Sequence, residues 1–368
     1  YLGYDIGAIS VNRAVIDSSQ NIVDVKPYTR HYGEPAKIIA ADLNSLLDKQ
    51  YSASVKSIAF TGLGGKNLAE VAGGVFINEI EAIITAVKNM YPEVNSVIEI
   101  GGQDSKFIDL AAGDYAMNEL CAAGTGSFLD QQASRFSLSI EEFCKLALKS
   151  KKPSTIAGRC SVFAKSDMIH LQQEAAKDED IALGLCYAMA RSFKSGIVKG
   201  MKFKPPIIFC GGVSFNEAMV KAFKDILKED ITVPLYNASI GAIGAAMSIS
   251  TKKCLDENSK NTNKNTRQAP VLNNSKKGGY DNSQTTGLNN SQTAKENSYN
   301  IQNTLQGIGD NEEKKFIDLL TVAKKFDIYN QSHEYKKETF KPLKIEKSSL
   351  PSNENSDLKK VSSSLEKQ

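Results

Sequence analysis

SVIEIGGQDSKFIDL, residues 96–110, is the stretch on which the fold turns. Ser96–Ile100 is apolar and bounded by glycine, which reads as a short buried strand; Gly101-Gly102-Gln103-Asp104 reads as a turn, and Lys106–Leu110 as the returning strand. The start of the chain has the same plan. YLGYDIG, residues 1–7, is an apolar strand ending in an acid and a glycine, and VNRAVI, residues 11–16, follows as a second strand. The motif of strand, glycine turn with an acid, and strand therefore occurs twice, an internal repeat that predicts two related halves.

The remaining elements extend outward from these two hairpins. Asp17–Asn21 reads as a turn and Ile22–Val25 as a third strand. Ile38, Ile39, Leu43, Leu46 and Leu47 have helical spacing. Ser57–Thr61 reads as a buried strand closed by Gly62, Gly64 and Gly65, and Glu79–Met90 as a helix stopped before Pro92. In the second half, helices are expected at 127–136 and 139–149, the latter opened by a capping box of Ser139 and Glu142. A long helical region covers roughly 166–200. Pro205 and Pro206 introduce the strand Ile207–Cys210, then come Gly211-Gly212 and an amphipathic helix over Asn216–Leu227. Ile231–Pro234 reads as a short strand and Ser239–Ile249 as a helix of small residues.

Beyond residue 250 the composition shifts to Asn, Ser, Gln, Thr and Lys. Residues 251–312 bury too little apolar surface to offset chain entropy and read as a disordered low-complexity linker. Residues 313–368 read as one short helix, 314–328 with Phe316, Leu319, Leu320, Val322 and Phe326 on its apolar side, plus a loose tail. Such a helix is marginal alone, so it is either dispensable or docks on a partner. With 45 basic and 42 acidic residues the net charge is +3, which gives no footprint for nucleic acid or an anionic membrane surface. No apolar run reaches membrane-spanning length and no signal-like segment is read at the start. Tyr1 in place of Met reads as a processed chain or an excerpt. Six cysteines in 368 residues do not resemble a secreted disulfide framework, so a cytoplasmic setting is expected, where cysteines pack, bind metal or exchange electrons.

Three elements suit phosphate chemistry. Asp5 at a strand end can orient Mg²⁺ through water, Gly7 admits a phosphate to the backbone, and Ser10 adds a hydroxyl. Gly101 and Gly102 offer amides to a second phosphate, with Gln103 and Asp104 as candidate catalytic residues acting on attacking water or metal. Gly211 and Gly212 allow a flat ligand such as adenine to approach, and Asn216 opens the following helix. In this order the three resemble the actin/Hsp70/sugar-kinase ATPase superfamily over about residues 1–250. That resemblance implies an α/β protein of two ribonuclease-H-like halves closing over ATP and Mg²⁺: residues 1–92 with 240–250 as the first, 93–239 as the second. The chain departs from the pattern at Glu99, where the family has Asp, which shifts the metal contact toward Asp104.

Cys121 and Cys160 stand apart from the other cysteines. Cys121 precedes Gly124-Thr125-Gly126, a glycine turn running into a helix, whose amides would also favour an anionic ligand; Cys160 precedes a helix beginning near Ser166. Helix N-termini lower thiol pKa. Cys144, Cys186 and Cys210 sit in apolar patterns and read as packing residues, and Cys254 as incidental. Two thiols cannot complete a four-cysteine metal site, whereas two copies related by a twofold axis can; ordinary packing is the competing reading. NELCAAGTGSFLD and GRCSVFAKSD, together with EIGGQDSK at Glu99–Lys106, resemble the BadF/BadG/BcrA/BcrD ATPase family. The resemblance implies that Cys121 and Cys160 of each subunit bind one [4Fe–4S] cluster bridging a homodimer. It further implies ATP-driven electron donation to a 2-hydroxyacyl-CoA dehydratase or benzoyl-CoA reductase-like partner, with ferredoxin or flavodoxin as the electron source. The chain looks closer to one unit of a long two-ATPase chain than to a short activator. Two other readings stay open: a sugar or small-acid kinase with Asp104 as base, and a non-catalytic scaffold ATPase. His31, His170 and His333 show no ligand pattern, the acidic run 177–180 reads as a solvated helix face, and Lys106 and Lys165 are assigned no role.

Overall fold

The computed structural model describes residues 1–118, 124–158, 161–259 and 317–333. Its contacts divide the chain into Tyr1–Asn330 and Gln331–Gln368, and both sheets belong to the first unit. Strands β1 (Leu2–Ile6), β2 (Ser10–Ile16), β3 (Ile22–Arg30), β4 (Ile58–Thr61) and β5 (Val75–Phe76) form one sheet in the order β3-β2-β1-β4-β5. Strands β6 (Ser96–Ile100), β7 (Ser105–Asp109), β8 (Asp114–Met117), β9 (Ile207–Cys210) and β10 (Ile231–Thr232) form the other in the order β10-β9-β6-β7-β8. Both sheets begin with a meander of three antiparallel strands, and in both the fourth strand runs parallel to the first. The repeat read from the two glycine turns is thus a repeat of the whole sheet.

Helices α3 (Glu79–Met90) and α9 (Ile240–Ser259) lie between the sheets, in a shared core with Ala14 and Ile16 of β2, Val97 of β6 and Ile208 of β9. The small residues of α9 make this possible. A Cβ on Gly244 would lie 1.7 Å from the Ala82 carbonyl of α3, and one on Gly3 of β1 would lie 2.1 Å from the Ala242 carbonyl. Close backbone approach needs residues without bulk. Helix α9 continues through Ser259, past the expected end at Ile249. Among the described residues, no helix is long and apolar enough to cross a membrane.

The outer faces differ. On the second sheet pack α4 (Gly126–Arg135), α5 (Ile140–Ala147), α6 (Ser161–Gln173), α7 (Asp178–Ser192) and α8 (Glu217–Leu227), with a π-helical turn at Phe193–Val198. The expected helix over 166–200 is therefore broken between α6 and α7. The capping box at Ser139 and Glu142 is present in both directions. On the first sheet pack α1 (Pro35–Leu46), α2 (Gly65–Ala72) and a helix from far along the chain, α10 (Leu319–Ser332). Leu319, Val322, Ala323 and Phe326 of α10 are buried; Phe326 lies 6.3 Å from Phe60, and the Ile317 N–H donates to the Val55 carbonyl at 2.7 Å. The terminal amphipathic helix, with its start five residues later than the spacing suggests, thus covers the chain's own first half. Phe316 lies outside the described residues.

Candidate functional site

The two hairpin turns are built alike. Gly7 N–H donates to the Ser10 carbonyl at 2.9 Å, and Gly101 N–H donates to the Asp104 carbonyl at 2.8 Å. Each turn therefore consumes its first glycine amide internally. The inner amides, of Ala8 and Ile9 in one turn and Gly102 and Gln103 in the other, have no acceptor among the described residues. Free, convergent backbone N–H groups form an anion-binding concavity. The turns meet tip to tip: a Cβ on Gly102 would fall 2.3 Å from Ile9 Cδ1. The equivalence extends to the next strand in each sheet. Gly62, after β4, and Gly211, after β9, both have positive φ (82° and 84°), and a Cβ on either would collide with the carbonyl of Ile6 or Ile100 and the carboxylate of Asp5 or Glu99.

Behind the turns lie the two acids. Asp5 pairs in register with Asn12 and Thr61; Glu99 pairs with Lys106 and Cys210. Asp5 Oδ1, Asn12 Oδ1 and Thr61 Oγ1 are buried without a hydrogen-bond partner. Such groups normally find partners, so three together mark a place for ordered water or a ligand. Lys106 is 1 % exposed and donates to Glu99 Oε2 at 2.9 Å and to Glu79 Oε1, at the start of α3, at 2.8 Å. Burial, with Glu79 and Glu99 adding to it, pushes Asp5 up to about 8; burial pushes Glu99 up to about 7 against the pull of Lys106. Burial opposes the charge on Lys106, but Glu99 and Glu79 outweigh it and raise its pKa. Glu79 escaped the sequence reading because nothing in the pattern of a helix start shows that it reaches the opposite half.

A cavity of about 350 Å³ opens between the halves. Gly101, Gly102, Gly126, Gly212 and Asn216 line it, as read from the sequence; Ile9, Tyr28 and Arg30 line it from the first half. Asn216 caps α8 through Oδ1, 3.1 Å from the Met219 N–H, and its Nδ2 is buried without a partner. Tyr28 meets Phe215 edge-on across the opening, with ring centroids 6.3 Å apart. Cys144, read as packing, also lines the cavity, whereas Cys186 and Cys210 are buried. Asp5, Gly7, Ser10, Gln103, Asp104, Gly124, Thr125 and Gly211, also read from the sequence, are not among its lining residues. His31 has partners the sequence did not suggest: Nε2 lies 3.1 Å from the Gly7 carbonyl and Nδ1 accepts from Gly33 N–H at 3.0 Å, so the ring braces the first turn. His170 pairs with Glu174 on the surface of α6.

The second turn is also tied to the cysteine segment. Asn118 Nδ2 donates to the Gln103 carbonyl at 3.0 Å, and Asn118 Oδ1 accepts from Ser105 N–H at 2.7 Å. Ser105 Oγ donates to the Gly124 carbonyl at 2.6 Å; Gly126 and Ser127 N–H donate to the Gly101 and Gly102 carbonyls at 2.9 and 2.8 Å. Residues 118 and 124, on either side of Cys121, are therefore both anchored to the glycine turn. Cys121 and Cys160 themselves lie outside the described residues.

The model of the BadF/BadG/BcrA/BcrD ATPase family matches residues 2–248. The chain belongs to this family. Among its relatives is the 2-hydroxyisocaproyl-CoA dehydratase activator of Clostridioides difficile, 29 % identical over 67 % of this chain and 93 % of that protein. The crystal structure of the Acidaminococcus fermentans (R)-2-hydroxyglutaryl-CoA dehydratase component A superposes with a TM-score of 0.63 at 27 % identity, covering 69 % of this chain and 98 % of the other. The Clostridium difficile activator with bound ADPNP superposes with a TM-score of 0.60 at 26 % identity, covering 72 % and 99 %. These superpositions place this family member among the actin-like ATPase folds and support ATP as its ligand. Helix α10 and everything after residue 248 fall outside the family match.

The site's donors fit the groups the family implies. Four free turn amides suit a polyphosphate, and the unpartnered oxygens beside Asp5 suit a hydrated Mg²⁺, which uses few protein ligands and keeps its waters. Among the described residues, no group of three or more His, Cys, Asp or Glu would hold a metal by itself.

Proposed function

We propose that this chain is an ATP-dependent one-electron donor that activates a 2-hydroxyacyl-CoA dehydratase or benzoyl-CoA reductase-type enzyme. In this reading Asp5, with Asn12 and Thr61, holds Mg²⁺ through water, and Gly7 and Ser10 shape the first phosphate turn. Gly102 and Gln103 amides bind the second phosphate group. Asp104, with Gln103, orients the attacking water, and Lys106 holds Glu99 in place. Gly211, Gly212 and Asn216 seat the adenosine. Cys121 and Cys160, with the same pair from a second copy, would hold a [4Fe–4S] cluster that supplies the single electron when bound. Ferredoxin or flavodoxin would recharge it, in a cytoplasmic setting.

The observation that carries this reading is the anchoring of both ends of the Cys121 segment to the glycine turn that faces the nucleotide. Occupancy of Gly102 and Gln103 by phosphate then bears directly on Asn118, Ser105, Gly124 and Gly126. Two rigidly hydrogen-bonded arrangements of that network would give nucleotide and thiols a coupling free energy, which for linked sites is about 1–3 kcal/mol. The deciding experiment is anaerobic purification followed by iron analysis and spin-resonance spectra with and without ATP. About two iron atoms per chain and a spectrum that changes with nucleotide are expected; Cys121→Ala should abolish both. A cluster signal that survives Cys121→Ala would overturn this reading, and phosphorylation of a small alcohol by the iron-free protein would replace it with the kinase.

A further inference from the structure

Among the described residues that line the cavity Arg30 is the only cation, and the anions are Asp130 and Glu141. It stands at the end of β3, opposite Ser10 in the sheet register, and so at the edge of the first turn. Its neighbour His31 donates N–H to the Ile9 carbonyl and braces Gly7 through its ring. From there the guanidinium crosses to the second half, where one nitrogen, Nη2, lies 2.9 and 3.1 Å from the two carboxylate oxygens of Asp130. Asp130 is on α4, one turn beyond Gly126, whose N–H is bound to the Gly101 carbonyl. The ion pair therefore spans the cleft at the level of the two phosphate turns. Its side chains are 36 % and 29 % exposed, so it is neither sealed nor strongly held.

From this geometry we infer that Arg30 is a nucleotide-reading residue, kept off the ligand by Asp130 while the cavity is empty and transferred to the polyphosphate when it is filled. A guanidinium favours a phosphate oxygen fork at least as well as a carboxylate, and a polyphosphate offers more charge. The exchange breaks one interlobe link and replaces it with a link through the ligand, so the two halves close on nucleotide rather than on each other. Glu141, the second anion of the lining, adds to the bias against phosphate as long as Arg30 is occupied. This inference rests on the ATP-binding reading above and adds to it a switch made of two side chains.

The two partners are predicted to have opposite effects, which a purely structural link would not produce. Arg30→Gln should weaken ATP binding about tenfold and leave adenosine binding unchanged, whereas Asp130→Asn should tighten ATP binding about threefold, again without effect on adenosine. Arg30→Lys should fall between wild type and Arg30→Gln, and the double variant should bind like Arg30→Gln. Titration of the full chain with ATP and with adenosine, in the presence of Mg²⁺, reads all of these, with circular dichroism to verify folding. If Asp130→Asn weakens ATP binding or leaves it unchanged, the link is only a brace and the inference is wrong. The same follows if Arg30→Gln changes ATP affinity less than twofold while wild type binds. If wild type itself does not bind ATP, the ATPase reading falls first, and the switch with it.

Discussion

The acids ending β1 and β6 hold the same place in two sheets of identical strand order, yet their neighbours differ. Asp5 faces Asn12 and Thr61, and a polar atom of each of these three residues is left unpartnered. Glu99 faces Lys106, which binds it and reaches across to Glu79. One copy of the motif is left open for a ligand, while the other is closed by a buried ion pair that joins the halves. A buried carboxylate without a counterion is costly, so the open copy is stable only with its proton or its cation. The duplicated scaffold thus keeps its backbone geometry, positive-φ glycines included, and divides the chemistry between the two copies.

The comparison can be broken by removing the ion pair. Lys106→Met leaves Glu99 buried without a cation, and the half-buried Glu79 beside it, and should cost about 3–5 kcal/mol at pH 8 in urea unfolding. Asn12→Leu, the matching change in the first half, should cost far less. The Lys106→Met deficit should shrink at pH 5, where Glu99 takes up a proton. Equal effects of the two substitutions would mean that the halves are not divided in this way.

A second asymmetry lies on the outer faces. The first half relies on α10, returning from beyond residue 316, to cover Tyr4 and Phe60, while the second is covered by helices from within its own stretch of chain. Phe326→Ala should cost about 3–4 kcal/mol by opening a cavity, with faster hydrogen exchange in α1 and β4 and none of that change in β6 or β9. Uniform loosening of both sheets would show that α10 is not specific to the first.

Asp5→Asn sharpens the contrast by pH. With Asp5 raised to about 8, the folded chain keeps a proton that the unfolded chain loses near pH 4. The folded state binds more protons in that window, so this group makes stability fall as pH climbs from about 4 to about 8 and level off above. The Asn variant lacks this loss and should gain on wild type by about 1–3 kcal/mol between pH 5 and pH 9, while losing Mg²⁺-dependent nucleotide binding. The smallest effect is in the proton balance of binding. Mg²⁺ and nucleotide favour the charged acids, so binding at pH 7 should release up to about one proton, and almost none at pH 10, where Asp5 is already ionised. Calorimetry in buffers of different ionisation enthalpy measures it; proton uptake would contradict the placing of the cation at Asp5.

Local pattern accounted for much of the fold. Glu79–Met90 and Ser96–Ile100 are found with the expected ends, and Ile207–Cys210 and the Ser139 capping box are in place, because strand runs bounded by glycine and helix caps are short-range signals. Two short edge strands were not legible: β5 and β8 have mostly exposed residues and exist through pairing with β4 and β7. Nor was the break between α6 and α7, since residues 172–180, QQEAAKDED, contain neither Gly nor Pro to mark it.

In the site, the glycines and Asp5 could be read from sequence because close backbone approach and a strand-end acid leave a local mark. Glu79, Arg30, Asp130 and Cys144 could not, since each works from a different element and is brought to the cleft only when the two sheets close on α3 and α9. The sequence by itself determined the repeated hairpin, the two glycine turns, the cysteine motifs and with them the family. Only the tertiary structure decided which copy of the acid stays open, which residues bridge the halves, and that the distant amphipathic helix belongs to the first. The reason is physical: turn conformation depends on neighbours in the chain, whereas the charge state and partner of a buried group depend on what long-range packing places against it.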